Sequence, residues 1–380
     1  MSLDAAAAGR LGTVRVVGTG LLGTSVGLGL RSSGVRVLLS DPSPTALALA
    51  RDVGAGEPDR GDDEPHLIVV ASPPDVTAQV VQAELIAHPA ATVTDVASVK
   101  SGVVAEVAAG GGDLARYVGG HPMAGRERSG PVAARGDLFL GRPWVVCPTA
   151  SSAPERVEAI RGLAVALGAT PVTMTADDHD EAVALISHLP QVASSLVAAR
   201  LRLAAEGAVA LAGQGLRDLT RIAGSDPMLW AQVLSANAGP VVDVLRAMRA
   251  DLDGVIEALD ALAKEGRAGL DAGPEAASAP GARAVLGHLV ADGNIGRERI
   301  PGKHGAPPTA YAVVTAILPD RPGQLGRLFN DIADAGINVE EFSLEHSPGQ
   351  QVGLAEVSVL PAVREALETA LTQRGWHVVA

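Results

Sequence analysis

Residues 13–41, TVRVVGTGLLGTSVGLGLRSSGVRVLLSD, restrict the fold more than any other stretch of this chain. A short β-branched run ends in Gly18-Thr19-Gly20-Leu21-Leu22-Gly23, and an amphipathic stretch follows to Leu30. Gly34 stops that helix, and a second β-rich run closes on Asp41. Each glycine answers a different steric demand. Gly18 permits a tight turn, Gly20 lets backbone approach a pyrophosphate, and Gly23 lets helix pack on strand. The helix start at Leu21 and Leu22 then turns unpaired N–H groups toward phosphate oxygens. Asp41, about 20 residues on, is placed to accept hydrogen bonds from an adenosine ribose and to repel a 2′-phosphate, which favours NAD over NADP. A helix cap is the alternative role for Asp41, because Pro-Ser-Pro follows it.

The alternation continues with HLIVVASPPD (66–75), ATVTDVASVK (91–100), ARYVGG (115–120), RPWVVCPT (142–149) and TPVTM (170–174). Strands separated by helices imply a mostly parallel sheet covered on both faces, so residues 1–175 are expected to form an α/β, Rossmann-type doubly wound domain. Ligands of such sheets bind beyond the carboxyl ends of the strands. Ser72 and Pro73, DVASVK and GGHPMAG all fall at such ends, the first two as cofactor contacts.

From residue 176 to 266 the β signal fades and apolar residues recur three and four apart, which predicts an all-α dimerisation and substrate domain. Pro190 should kink or restart a helix within it. Residues 267–308 are rich in Gly, Pro and Ala and read as a linker with a short helix. The tail, 309–380, has the order strand, helix, strand, strand, helix, strand, a ferredoxin-like α+β unit.

Composition narrows the partners. A net charge of −13 argues against nucleic acid or an anionic membrane, although a few arginines in one cleft can still bind a small anion. The single Cys147 forms no intramolecular disulfide and no cysteine metal cluster, which suits a reducing cytosol. No export signal is visible, and the glycine-rich run before Arg31 is too short to span a bilayer, so a soluble cytoplasmic protein is expected.

One histidine stands out. His121 lies in GGHPMAGRERSG, residues 119–130, and the residues alone leave three roles open for it: metal ligand, turn residue or general base. The nine histidines show no HxH or HxxxH pair, so no metal site is expected. Asp177-Asp178-His179-Asp180 is read as helix capping and dipole compensation rather than as a metal cluster.

GTGLLGTS, SPPD, TDVASVK, GGHPMAGRERSG, SHLP and DLTRIAGSDPMLW occur in the order found in prephenate dehydrogenases, and the chain resembles that family over nearly its whole length outside 265–308. Cyclohexadienyl and arogenate dehydrogenases share these motifs. The resemblance implies NAD-dependent oxidative decarboxylation of prephenate in tyrosine biosynthesis, or of arogenate as the alternative. It implies His121 as the base on the ring hydroxyl, with Ser98 hydrogen-bonding near it; a helix N-cap is the other role for Ser98. It also implies a substrate pocket holding His188, Glu127, Asp218 and Arg221, whose guanidinium would grip a carboxylate. For Arg221 the plainer role is an ion pair with Asp218, and Trp230 is assigned to the core. The tail resembles an ACT domain, which implies an amino-acid effector, most simply tyrosine, at Asp320, Pro322, Gly323, Gln324, Leu325 and Asn338. A homodimer is expected. A non-catalytic amino-acid sensor and a β-hydroxy acid dehydrogenase are the competing classes.

Overall fold

The computed structural model describes residues 5–125, 130–271, 281–301, 310–346 and 351–379. Strands β1 (Val14–Val17), β2 (Val37–Ser40), β3 (Glu57–Pro58), β4 (Leu67–Val70) and β5 (Thr92–Asp95) form a sheet in the order β3-β2-β1-β4-β5, parallel throughout. Three more strands, β6 (Gly119–Pro122), β7 (Pro143–Cys147) and β8 (Thr170–Thr173), make a second sheet in that order. A parallel bridge between Val93 and Tyr117 joins β5 to the chain just before β6, so β6 runs in the direction of β1, β2, β4 and β5. The following strand, β7, turns back antiparallel to β6, and β8 then pairs parallel with β7. The sequence places the β6 strand slightly too early: it begins at Gly119, and His121 lies inside it rather than in a turn beyond it.

Burial on both faces explains the continuous apolar runs. Leu67 and Val69 of β4 join the core that holds Val14, Val16, Leu30, Leu39, Phe139 and Trp144. Ile68 and Val70 point the opposite way, into a second core with Val81, Leu85, Val103, Val107 and Tyr117. Aliphatic side chains fill nearly all of this space, which suits a chain with 2% aromatic residues. Successive strand residues face opposite sides, so a strand covered on both sides needs apolar residues at every position.

The chain divides into two compact units, 1–199 with 221–247 and 200–220 with 248–380. In the first, the helix Ala176–Val183 is capped by Thr175, whose Oγ1 accepts from Asp178 N at 3.1 Å. A π-turn, Ala184–His188, interrupts the run before the helix Leu189–Arg200 begins. Pro190 accounts for the break, because it has no N–H to give the carbonyl four residues back. Of the residues read as linker, 267–271 close a 34-residue helix, Ala238–Asp271, and the expected short helix is 17 residues long, Ala282–Glu298.

The tail carries β9 (Ala312–Pro319), the helix Gln324–Asp334, β10 (Glu341–His346), β11 (Val352–Val359), the helix Arg364–Gln373 and β12 (His377–Val379). Its sheet is antiparallel in the order β10-β11-β9-β12. Val314, Ala316 and Leu318 alternate into a core with Leu328, Ile332, Leu367, Leu371 and Trp376. The element order read from the sequence is the observed one.

Candidate active site

The parallel strands end together along one edge of the sheet, the edge at which sheets of this kind bind ligands. Gly18 leaves β1 at φ 96°. A Cβ there would lie 2.5 Å from the Ala71 carbonyl, and one on Gly23 would collide with the Gly18 carbonyl. At Gly20 a Cβ would meet nothing within 4 Å, so the loop is open on that side. Gly20 caps the helix Leu21–Ser32 with no side-chain bond, leaving its first-turn N–H groups for a ligand.

Asp41, directly after β2, takes Thr19 N at 2.6 Å and Thr19 Oγ1 at 2.9 Å on one oxygen, and Ser43 N at 2.8 Å on the other. It is therefore not the cap of the next helix; Ser43 is, accepting from Ala46 N at 3.2 Å. The carboxylate is fastened to the glycine loop and keeps lone pairs for ribose hydroxyls. These residues fit a dinucleotide. Ser72 follows β4 on the same edge, its hydroxyl 3.2 Å from Thr77 Oγ1, and Pro73 is exposed beside it.

His121 sits at the end of β6, half-buried, paired in register with Val145. Its Nδ1 lies 2.8 Å from Nε2 of His179, a residue fully buried, and the two rings meet edge-on at 5.0 Å. His179 Nδ1 is 2.8 Å from Asp180 Oδ1. Asp180 in turn accepts the backbone N–H of Lys100 and of Ser101, each at 2.8 Å, across 80 and 79 residues of sequence. It therefore caps the helix Ser101–Ala109 in place of Ser98 and does not serve its own helix, whereas Asp177 and Asp178 do lie in the first turn of theirs. Burial works against the charge on Asp180, but hydrogen bonds from His179, Ser101 and Lys100 outweigh it and hold the carboxyl below its usual range.

Around this line lies a second buried group. Lys100 Nζ pairs with Asp95 and donates to the Gly120 carbonyl at 2.8 Å, while Tyr117 OH donates to Asp95 Oδ2 at 2.6 Å. Lys100, Asp95 and Tyr117 are all fully buried. Burial, the neighbouring His179 and the positive Lys100 push the His121 imidazole well below its ordinary range, so it is neutral near pH 7 and available as a base.

On the helical side, Asn237 Nδ2 donates to the Asp180 carbonyl at 2.8 Å and lies 3.1 Å from His188 Nδ1. An amide NH2 can only donate, so His188 accepts at Nδ1 and carries its proton on Nε2. Burial lowers the His188 pKa as well. Trp230, assigned to the core from sequence, instead sets its half-buried ring edge-on to His188 at 6.0 Å.

The structure thus gathers His121 and His188 around Asp180, and places the residues expected to contact the cofactor along the same sheet edge. Other expected residues stand apart. Ser98 follows β5 on that edge and is half-buried, but among the described residues its hydroxyl makes no hydrogen bond to His121. Arg221 is exposed in a short turn, Arg221–Ala223, with no ion pair to Asp218, which instead accepts from Gln214 Nε2 at 2.8 Å. Glu127 lies outside the described residues. The described residues contain no cluster of metal-ligating side chains.

Residues 26–173 match the family profile "Prephenate dehydrogenase, nucleotide-binding domain", and residues 175–268 match "Prephenate dehydrogenase, dimerization domain". The chain is 39% identical to the probable prephenate dehydrogenase NovF of Streptomyces niveus, over 96% of this chain and 98% of that one. It is 28% identical to a prephenate dehydrogenase of Lactococcus lactis subsp. cremoris, over 94% and 98% of the two chains. Among solved structures it is similar to the A. aeolicus prephenate dehydrogenase in complex with hydroxyphenyl propionate and NAD+. That likeness has a TM-score of 0.64 at 26% identity and covers 76% of this chain and 98% of the other. A Synechocystis arogenate dehydrogenase matches with a TM-score of 0.60 at 25% identity, over 74% and 99% of the chains.

Proposed function

The chain belongs to the prephenate dehydrogenase family, and from that premise we propose that it is an NAD-dependent prephenate dehydrogenase of tyrosine biosynthesis with His121 as its general base. The observation that carries the reading is the neutral imidazole of His121 at the end of β6, on the same sheet edge as the open Gly20 turn and Asp41. The glycine loop, Asp41, Ser72 and Pro73 hold NAD, which when bound supplies the hydride acceptor. His121 takes the hydroxyl proton of the substrate ring. With hydride gone from the ring carbon and the ring carboxylate gone as CO2, the ring becomes aromatic. Its phenolate oxygen then regains a proton, so the reaction yields no net proton. General-base assistance of this kind is worth roughly 10²–10⁴-fold in rate. Arg221 binds a substrate carboxylate through a charge-assisted pair. His188 offers an Nε2–H donor, and the family resemblance assigns Ser98, Glu127 and Asp218 to the substrate as well.

The test is an NADH-absorbance assay of the full chain with prephenate and with arogenate, repeated on His121→Asn. Turnover of prephenate that falls about 10²–10⁴-fold in the variant, with NAD affinity unchanged, is the expected result. A variant with near-normal turnover at neutral pH refutes the base. An enzyme that turns over arogenate in preference to prephenate belongs to the arogenate branch instead.

The tail's βαββαβ order with the sheet β10-β11-β9-β12 supports a ferredoxin-like ACT domain that responds to tyrosine. Asp320, Pro322 and Gly323 are exposed, and Gly323 opens the helix Gln324–Asp334 at φ 87°, with Gln324 and Leu325 in its first turn. Asn338, exposed, donates to Glu340 at 2.8 Å. A distinct effector site implies reciprocal coupling, typically about 1–3 kcal/mol. Tyrosine should inhibit the full chain and not a chain lacking 309–380; equal inhibition of both places tyrosine elsewhere.

A cytoplasmic homodimer fits the rest. The helical run Ala176–Leu203 is long and apolar enough to cross a membrane by length and composition. Its inner face, however, carries the buried His179, Asp180 and His188, and its exposed Leu185, Ile186 and Leu196 suit a subunit interface.

A further inference from the structure

We propose that His179 and Asp180 form a positioning relay that fixes the tautomer of His121 and stabilises its protonated form, so that the reactive atom is Nε2. The proposal rests on His121 being the base and concerns how that base is set.

The direction of every proton follows from the contacts. Asp180 sits with both oxygens on backbone N–H donors, so it is an acceptor toward His179 as well. His179 Nδ1, 2.8 Å from Asp180 Oδ1, must therefore carry the hydrogen. In neutral His179 the other nitrogen, Nε2, is then a lone pair. That lone pair faces His121 Nδ1 at 2.8 Å, so His121 Nδ1 carries a hydrogen and donates it. His121 Nε2 is left as its only basic site. Two neutral rings in the opposite arrangement would set lone pair against lone pair at this distance.

The same chain of bonds responds when His121 gains a proton. The new charge on its ring strengthens the Nδ1–H bond to His179 and is felt at Asp180. No second proton needs to move. Burial, His179, Lys100 and His188 all disfavour that charge, and Asp180 opposes them. The charged and titratable groups around the line come from several elements: His121 on β6, His179 and Asp180 on the helix Ala176–Val183, His188 on the π-turn, Lys100 just before the helix Ser101–Ala109, and Asp95, the last residue of β5, paired with Lys100. Among these, Asp180 is the carboxylate bonded to His179, while Asp95 is engaged by Lys100 and Tyr117. Serine-hydrolase triads use a carboxylate to hold an imidazole tautomer in the same way; here a second imidazole is interposed.

The geometry also explains the placement of His179. It occupies the fourth position of the helix Ala176–Val183, and Val183 four residues on is buried with it, so both lie on the helix face turned to the sheet. Asp178 and Asp177, which precede them, are exposed.

Two measurements test the relay. In the first, the wild-type full chain, with 15N-labelled histidine, is read by long-range 1H–15N correlation, with His121→Asn for assignment. The Nδ1–H tautomer of His121 is the expected result; the Nε2–H tautomer overturns the proposal without any variant needing to be active. The second is the pH profile of kcat and kcat/KM in Asp180→Asn, His179→Gln and His179→Leu. Asp180→Asn should lower kcat by about 10²–10⁴-fold with little change in KM. Losing that negative charge should also move the acid limb of the profile to lower pH. His179→Gln, whose side-chain oxygen still accepts from His121 Nδ1, should retain more activity than His179→Leu. An acid limb unmoved in Asp180→Asn, or equal losses in the two His179 variants, overturns the relay and marks these residues as packing alone. Turnover retained in His121→Asn overturns both the relay and the base. Turnover lost in that variant with an unmoved limb in Asp180→Asn overturns the relay only.

Discussion

Lys100→Met strands a buried carboxylate and shows how firmly the end of β6 is held. Lys100 and Asp95 are each 0% exposed. The ammonium pairs with Asp95 and donates to the Gly120 carbonyl at 2.8 Å, one residue from His121. Methionine fills nearly the same volume but removes the charge and both bonds. Asp95 keeps Tyr117 OH at 2.6 Å and Ala97 N at 2.8 Å, which satisfy its lone pairs but do not neutralise it. Breaking one side of a buried pair costs about 3–5 kcal/mol, against a total stability of about 5–15 kcal/mol for a typical domain. Replacing Asp95 with Asn as well removes the stranded charge, while the Asn oxygen still accepts from Ala97 N and its NH2, in the place of Oδ2, can donate to the Tyr117 hydroxyl. Removing both charges of such a pair is often close to neutral, so the double variant should recover most of the loss. The assay is urea unfolding followed by Trp144 fluorescence, with Trp230 and Trp376 replaced by Phe in every chain compared; Trp144 is fully buried on β7, beside Gly120. A Lys100→Met chain within about 1 kcal/mol of its parent, or a double variant no more stable than the single, refutes the reasoning.

Other perturbations read the remaining assignments. Arg221→Ala should lower kcat/KM by the equivalent of roughly 1.5–3 kcal/mol, with Arg221→Lys recovering only part because an ammonium lacks the planar fork; unchanged kcat/KM on prephenate and arogenate removes Arg221 from the site. Asp41→Asn should weaken NAD use and admit NADP, and a wild-type enzyme that uses both cofactors contradicts the role given to that carboxylate. Stability should also decline on the acid side. His121 and His188 have pKa values below the ordinary one near 6.5, so below that pH the unfolded chain binds protons the folded chain does not, and folding weakens as pH falls. A thermal midpoint that stays level or rises between pH 7 and pH 5 is inconsistent with neutral imidazoles at His121 and His188.

Local chemistry was enough to read much of this molecule from its residues. The turn at Gly18, Gly20 and Gly23 obeys steric rules that hold wherever strand meets helix around a phosphate, and Asp41 follows at the distance the next strand requires. Apolar runs at β1, β4 and β5 announce strands buried on both faces, and the tail's alternating strands and amphipathic helices announce their own order. Even Pro190 signals a break in its helix, for it lacks the N–H that would continue it. What periodicity cannot reveal is which distant residues meet. Asp180 caps a helix whose first residue is 79 positions away, and nothing in the string Asp177-Asp178-His179-Asp180 says that two of these four face inward. Lys100 reads as an ordinary polar residue after Val99 until Asp95, Tyr117 and the Gly120 carbonyl close around it. The single polar motif His121 was visible from sequence; the direction of its protons was not. That direction depends on a hydrogen-bond line from β6 through a helix of another segment to the backbone of a third, and only folding brings those donors and acceptors within 3 Å.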